Sequence, residues 1–249
     1  MREPPGLTLI GGQALNYWAE RYIDRCAALQ TLAGKRPFTS GDLDFVGTLA
    51  PRPTASARDS IDVAGELAVG EKIARALHGQ FEKAGPYGPR ATLATLKYRD
   101  DQDPPEAEPR IIHFLGDMIG VKPVDVARTS VVISGHLRVM NAVLCMESRI
   151  SNVLSSADYQ NEKGRHQARV SIPCAREFVR ELVEQGHINK ALDFNERIFE
   201  FAKKRDARCA REGFRPFDAF LLDPRLPEKF RTIRYPRMQQ ELEQLQRGR

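Results

Sequence analysis

Apolar positions recur along this chain in two rhythms, alternating residues in short stretches and steps of three and four in long ones. Leu7-Thr8-Leu9-Ile10 is a short apolar run with strand character, stopped by Gly11-Gly12. Leu15, Trp18, Ala19, Tyr22, Ile23, Cys26 and Leu29 then form a one-sided stripe, which predicts a single helix from Gln13 to about Leu32. Asp42-Leu43-Asp44-Phe45-Val46 reads as a strand with both carboxylates on one face and Leu43 and Phe45 on the other. Ala64, Leu67, Ile73, Ala74, Leu77 and Phe81 predict a second long helix from Ser60 to Lys83, ended by Gly85-Pro86. Ala91–Tyr98 alternates again, Asp100–Pro109 is an acidic, Pro-rich turn, and Arg110–Gly116 is the returning strand of a hairpin.

From about Val124 the pattern turns helical. Helices are predicted over His136–Ser155, Arg165–Gln185 and from Ile188 to about Ala202, with a polar one over Pro236–Gln246. Pro173 predicts a kink or a split in the second of these, and Gly186 closes it. The expectation is an α+β protein: a small mixed-sheet domain over residues 1–130, then a helical domain over 131–249. Glu147 falls on the buried stripe with Met140, Val143 and Leu144 and needs a cationic partner, for which Arg138 and Arg149 are the local candidates.

Composition changes this picture little, whereas the placement of charge adds to it. A chain of 249 residues can bury a sizeable core. Cys26, Cys145, Cys174 and Cys209 are widely spaced, which argues against a zinc site and for reduced thiols in a cytoplasm. Met1–Pro5 carries no apolar leader core and no apolar run is long enough to cross a bilayer, so a soluble, cytoplasmic protein is expected. The net charge is +5, and from Lys203 onward thirteen Lys and Arg face seven Asp and Glu, so the whole basic excess lies in the tail. Such a tail is either an electrostatic footprint for RNA or a solvated extension. Its aromatic residues, Phe214, Phe217, Phe220, Phe230 and Tyr235, read as docking residues as readily as stacking platforms.

The candidate chemistry sits near the start. Two carboxylates on one strand face repel unless something positive lies between them, and a hard divalent cation suits oxygen ligands. Asp42 and Asp44 are therefore candidate metal ligands. Gly11 and Gly12 lack side chains, so an anion can approach the backbone, and the helix that follows points free N–H groups at it. One element can hold a phosphate and the next the metal that bridges to it.

Leu9-Ile10-Gly11-Gly12, a helix, and then Ser40-Gly41-Asp42-Leu43-Asp44-Phe45 resemble the signature of the polymerase-beta-type nucleotidyltransferase superfamily, and within it the bacterial AbiEii-type toxins and related minimal nucleotidyltransferases. The resemblance covers about a fifth of the chain. It implies a nucleotidyltransferase-like first domain and metal-dependent transfer of a nucleoside monophosphate from an NTP to a hydroxyl of RNA, tRNA or protein, in a toxin–antitoxin or phage-defence setting. Asp42 and Asp44 would hold Mg²⁺ or Mn²⁺, while Gly11, Gly12 and Ser40 would contact phosphate.

In that family a third carboxylate comes from a strand written as an apolar residue, Asp, then Phe-Leu. Here the frame reads Ile112-His113-Phe114-Leu115, so His113 stands where the aspartate is expected. An imidazole can ligate a metal, though it favours softer ions than Mg²⁺, or it can take the proton of an attacking hydroxyl. Asp117, four residues on, is a possible substitute if Gly116 does not break the strand. The resemblance also places a phosphate-facing basic residue on the helix after the catalytic domain, which carries over to Arg149. The competing expectation is a catalytically silent module of the same fold that binds nucleotide, RNA or a partner protein.

Overall fold

The computed structural model describes residues 6–35, 42–47, 63–85, 91–100, 102–104, 106–135 and 137–247. The protein is α+β, with one mixed sheet of seven strands among these residues. Two compact units divide the chain, one taking in Met1–Tyr17 and Thr39–Leu144, the other Trp18–Phe38 and Cys145–Arg249. The divisions at 17/18 and 144/145 fall inside helices, and the boundary expected at residue 130 falls between a helix and a strand of the first unit.

The first unit holds the sheet. Its strands are β1 (Leu7–Ile10), β2 (Leu43–Gly47), β3 (Gln80–Lys83), β4 (Thr92–Tyr98), β5 (Arg110–Leu115), β6 (Val131–Ser134) and β7 (Leu137–Val139), in the order β3-β4-β5-β2-β1-β7-β6. β2 runs antiparallel to β1 and parallel to β5, and β7 runs parallel to β1. The expected hairpin is β4 with β5, Tyr98 opposite Arg110. Leu7, Ala74, Ala94, Leu96, Ile112 and Phe114 form a buried core against which Leu43, Phe45 and Phe81 pack. Leu43 and Phe45 thus anchor β2 in apolar surroundings, as strand alternation requires.

Three predicted helices of this half are corrected. The first is not continuous to Leu32: α1 (Gly11–Tyr22) gives way to a 3-10 turn over Ile23–Arg25, and α2 (Ala27–Lys35) begins after Cys26, which is extended at φ −124°. The interrupted turn stays satisfied because Gln30 Nε2 donates to the carbonyls of Ile23 (3.0 Å) and Asp24 (3.4 Å). The second helix, α3 (Val63–Ala76), stops well before Lys83, and Phe81 lies on β3 opposite Leu96. His78 adopts φ 49° and the Gly79 N–H closes onto the Ala74 carbonyl at 2.9 Å, a left-handed helix ending. After α4 (Pro123–Thr129) the chain makes β6 and β7 rather than the start of a helical array, as the β-branched run Val131-Val132-Ile133 favours. The helix expected from His136 begins at Ala142, and His136 lies outside the described residues.

The second unit is helical apart from its connections. Its long helices are α5 (Ala142–Ser155, from Cys145 onward in this unit), α6 (Glu162–Glu184), α7 (Ile188–Arg211) and α8 (Tyr235–Arg247). Pro173 does not split α6, because Ala168, Val170, Cys174, Ala175, Phe178 and Val179 on either side of it are all buried and hold one continuous helix. Gly186, at φ +77°, ends it as expected. The tail is folded. Phe214, Phe220, Leu221, Leu226, Phe230, Met238 and Leu242 are buried, Phe217 stacks on Tyr235, and Phe220 lies tilted against both. Of the two readings of these aromatic residues, docking holds. No helix of the described residues is long and apolar enough to cross a membrane.

Candidate functional site

β1 delivers the chain to Gly11, whose φ of +70° is a left-handed conformation that only glycine adopts without strain. The same residue has no room for a side chain: a Cβ there would overlap Asp44 Oδ2 and come within 3.0 Å of Asp44 Cγ. The carboxylate of Asp44 therefore lies against the backbone at the N-terminus of α1, where the helix dipole favours negative charge. Gly12 follows, also buried, as the second residue of the helix. The Gly-Gly turn and the acidic strand, more than thirty residues apart in sequence, meet at this point.

Register builds the rest. Ile10 pairs with Asp44, Asp44 with His113 on the parallel neighbour, and His113 with Thr95. Paired residues share a face and adjacent strands lie about 4.8 Å apart, so Asp44 and His113 stand side by side. His113 is half-buried, and its Nδ1 lies 3.4 Å from the Thr95 hydroxyl. The opposite face of the same strands is apolar, with Phe45 stacked near Phe114 and Phe81 edge-on to it. Apolar packing on one side thus fixes a polar row on the other.

The remaining predicted residues lie as follows. Asp42 is exposed and precedes β2 by one residue. Ser40 lies outside the described residues. Asp117 does not extend the row, because β5 ends at Leu115, the Gly116 N–H turns to the Ala91 carbonyl (2.8 Å), and the Asp117 carboxylate accepts the Met118 N–H. Arg149 belongs to the second unit, donates to Gln167 Oε1 at 3.3 Å and sits over the Tyr159 ring. Neither local candidate neutralises Glu147: Arg138 donates to Ser130, and it is Arg197 that forks onto the Glu147 carboxylate at 2.6 and 2.8 Å.

Sequence reasoning missed Thr95. Counting inward three residues on each strand from the Tyr98–Arg110 end of the hairpin leads to Thr95 opposite His113, so the signal was the hairpin itself. It also missed Glu66, buried on α3, which accepts the Gly47 N–H at 2.8 Å through Oε2 while its other oxygen has no hydrogen-bond partner among the described residues. Burial pushes the Glu66 carboxyl up to about 7.

Donor chemistry decides whether these residues fit a hard divalent cation. Among the described residues no three His, Cys, Asp or Glu side chains come together as a ready-made cage. Mg²⁺ needs none, since it keeps several waters and is commonly held by one or two carboxylates plus the phosphates of a substrate. Asp44 behind Gly11 and Asp42 at the strand entrance supply that number. Compared with protein-family models, curated proteins and solved structures, the chain matches none of them.

Proposed function

We propose that the first unit binds a nucleoside triphosphate with Mg²⁺ or Mn²⁺ at the Gly11–Asp44 junction, as a nucleotidyltransferase-like domain, and transfers its nucleoside monophosphate to a hydroxyl of RNA or protein. The observation that carries this reading is the packing of the Asp44 carboxylate on a positive-φ glycine at a helix N-terminus, with His113 beside it. Such an arrangement would put a phosphate contact and a metal contact side by side.

The residues divide the work by their chemistry. Gly11 and Gly12 let the triphosphate approach the backbone, and the free N–H groups opening α1 face its negative charge. Asp42 and Asp44 would hold the cation, which supplies charge neutralisation on the triphosphate when bound. His113, with Nδ1 toward the Thr95 hydroxyl, keeps Nε2 to accept the proton of the acceptor hydroxyl. That oxygen then bonds to the α-phosphorus as the bond to the departing pyrophosphate breaks, an in-line displacement governed by positioning and electrostatics. Fold analogy alone does not fix a function, so the reading rests on these residues.

A second reading has its own observation. With His113 in the third position the site carries one negative charge fewer than two carboxylates and an aspartate would give, which favours a module that binds nucleotide and does not transfer it. Calorimetric titration of each NTP with Mn²⁺ into wild type and Asp44→Asn tests what the two readings share. Binding that requires the metal and is lost in the variant supports them. Binding that is indifferent to Asp44 sinks both.

A further inference from the structure

A second candidate site lies wholly within the helical unit. A cleft of about 430 Å³ opens between α2, α6 and the loop after α7, floored by Ala28, Leu32, Ile172 and Pro173. Arg169, Arg176, Arg180 and Arg215 line it, with Glu177 and Asp218 as its acids. Glu177 is buried and already engaged, by Arg180 at 3.0 Å and Arg25 at 3.3 Å. Arg169, Arg176 and Arg215 are exposed, form no ion pair with a described residue, and are opposed only by Asp218.

The tail outside residues 213–218 contrasts with this cleft. Many of its cations are committed inside the unit: Lys203 to Glu241, Arg225 to Asp223, Arg234 to Glu196, and Arg208 to the Leu154 carbonyl. In the cleft, by contrast, Arg169 and Arg176 of α6 and Arg215 after α7 gather three exposed guanidinium groups at one place.

We infer that this cleft holds the phosphate backbone of a nucleic-acid strand, and that it, rather than the rest of the basic tail, is the polyanion contact of the protein. Residues 169, 176 and 180 recur at seven and four and so share a helix face. At 1.5 Å per residue they span roughly 16 Å, longer than one phosphate and suited to several in succession. Arg is the side chain matched to phosphate in geometry. The floor carries no aromatic ring, so the cleft offers phosphate contacts without a platform for bases, which means binding with little base preference. The inference deepens the RNA branch of the reading above, and its test is independent of transfer chemistry.

The test is fluorescence anisotropy of the full chain with labelled single strands about 15 nucleotides long, RNA and DNA in separate arms, between about 50 and 200 mM KCl. The triple variant Arg169→Gln/Arg176→Gln/Arg215→Gln alters exposed, unpaired side chains, and its fold is checked by circular dichroism and thermal unfolding. It is expected to bind RNA about tenfold or more weakly, with the salt slope reduced by about 2, as for three lost phosphate contacts on a single strand. Lys229→Gln/Arg237→Gln in the tail is expected to bind as wild type does. Equal binding of the DNA strand assigns the contact to phosphates generally, and preference for RNA adds the 2′-hydroxyl; both keep the inference. Failure of wild type to bind either strand at the lower salt overturns it, as does a loss seen in the tail variant and not in the triple. Displacement of the strand by inorganic phosphate or ATP at equal phosphate concentration also overturns it, by making the cleft a single-phosphate site. Loss of binding in Asp44→Asn would place the strand at the first unit, leaving the nucleotide reading intact and this one refuted.

Discussion

Asp44 and Gly11 occupy the same small volume, the carboxylate of one standing where the side chain of any other residue would have to go in place of the other. A side chain at Gly11 therefore displaces the Asp44 carboxylate. Gly11→Ala combines a left-handed backbone with this overlap, so a loss of about 2 kcal/mol or more is expected. Urea unfolding of the variant measures it. On the proposed reading NTP binding falls further than stability does, because the phosphate approach and the Asp44 carboxylate are displaced together.

Glu66 makes stability depend on pH in a direction opposite to most acids. Its carboxyl is raised from the ordinary 4.5 to about 7 by burial. Below the unfolded value both states hold the proton and nothing is lost. As pH climbs to about 7 the unfolded chain releases it and the folded chain does not, so stability falls, by roughly 3 kcal/mol in full. Glu66→Gln keeps an acceptor for the Gly47 N–H and removes the titration. Unfolding midpoints at pH 5 and pH 8 should differ less in the variant than in wild type; equal slopes would show that Glu66 is charged in the fold.

Glu147 is buried and forked by Arg197. Removing the guanidinium strands a carboxylate in the helical core, and Arg197→Met is expected to cost about 2 kcal/mol, reduced from the value for a fully buried pair because Arg197 is partly exposed. Combining it with Glu147→Gln should recover part of that loss in a double-mutant cycle.

Tyr22 is a buried phenol that donates to Glu181 Oε2 at 2.6 Å, and Arg21 donates to the same carboxylate. Burial, and after it the adjacent Glu181 carboxylate, raise the phenol well above its usual range. Tyr22→Phe should lower stability by roughly 1.5 kcal/mol at pH 7, the worth of a hydrogen bond to a charged acceptor, and the difference should shrink as pH rises toward 10, where the unfolded phenol ionises and the folded one does not.

Much of this was legible in the chain. Alternation around Leu43 and Phe45 gave the faces of β2, and the acidic turn after Tyr98 gave the hairpin that carries His113. What failed depends on distant partners. Nothing local says that Cys26 leaves the helix or that Phe81 joins a strand, although Gly79 was an available stop signal. Pro173 is held in α6 by buried neighbours that a helical pattern cannot weigh against a missing N–H. The partner of Glu147 lies fifty residues away on another helix, beyond the reach of the i,i+4 rule. The basic tail illustrates the same limit, because net charge counts cations without showing that Glu196, Asp223 and Glu241 already hold three of them.

The most direct test of the proposed activity is label transfer from each α-labelled NTP, with Mg²⁺ or Mn²⁺, to total RNA and to protein. Wild type, Asp42→Asn/Asp44→Asn and His113→Ala would be assayed together. The account predicts transfer by wild type, none by the double variant and a large loss in His113→Ala. Transfer that persists without both carboxylates, or none by wild type with any nucleotide, metal or acceptor, would contradict it.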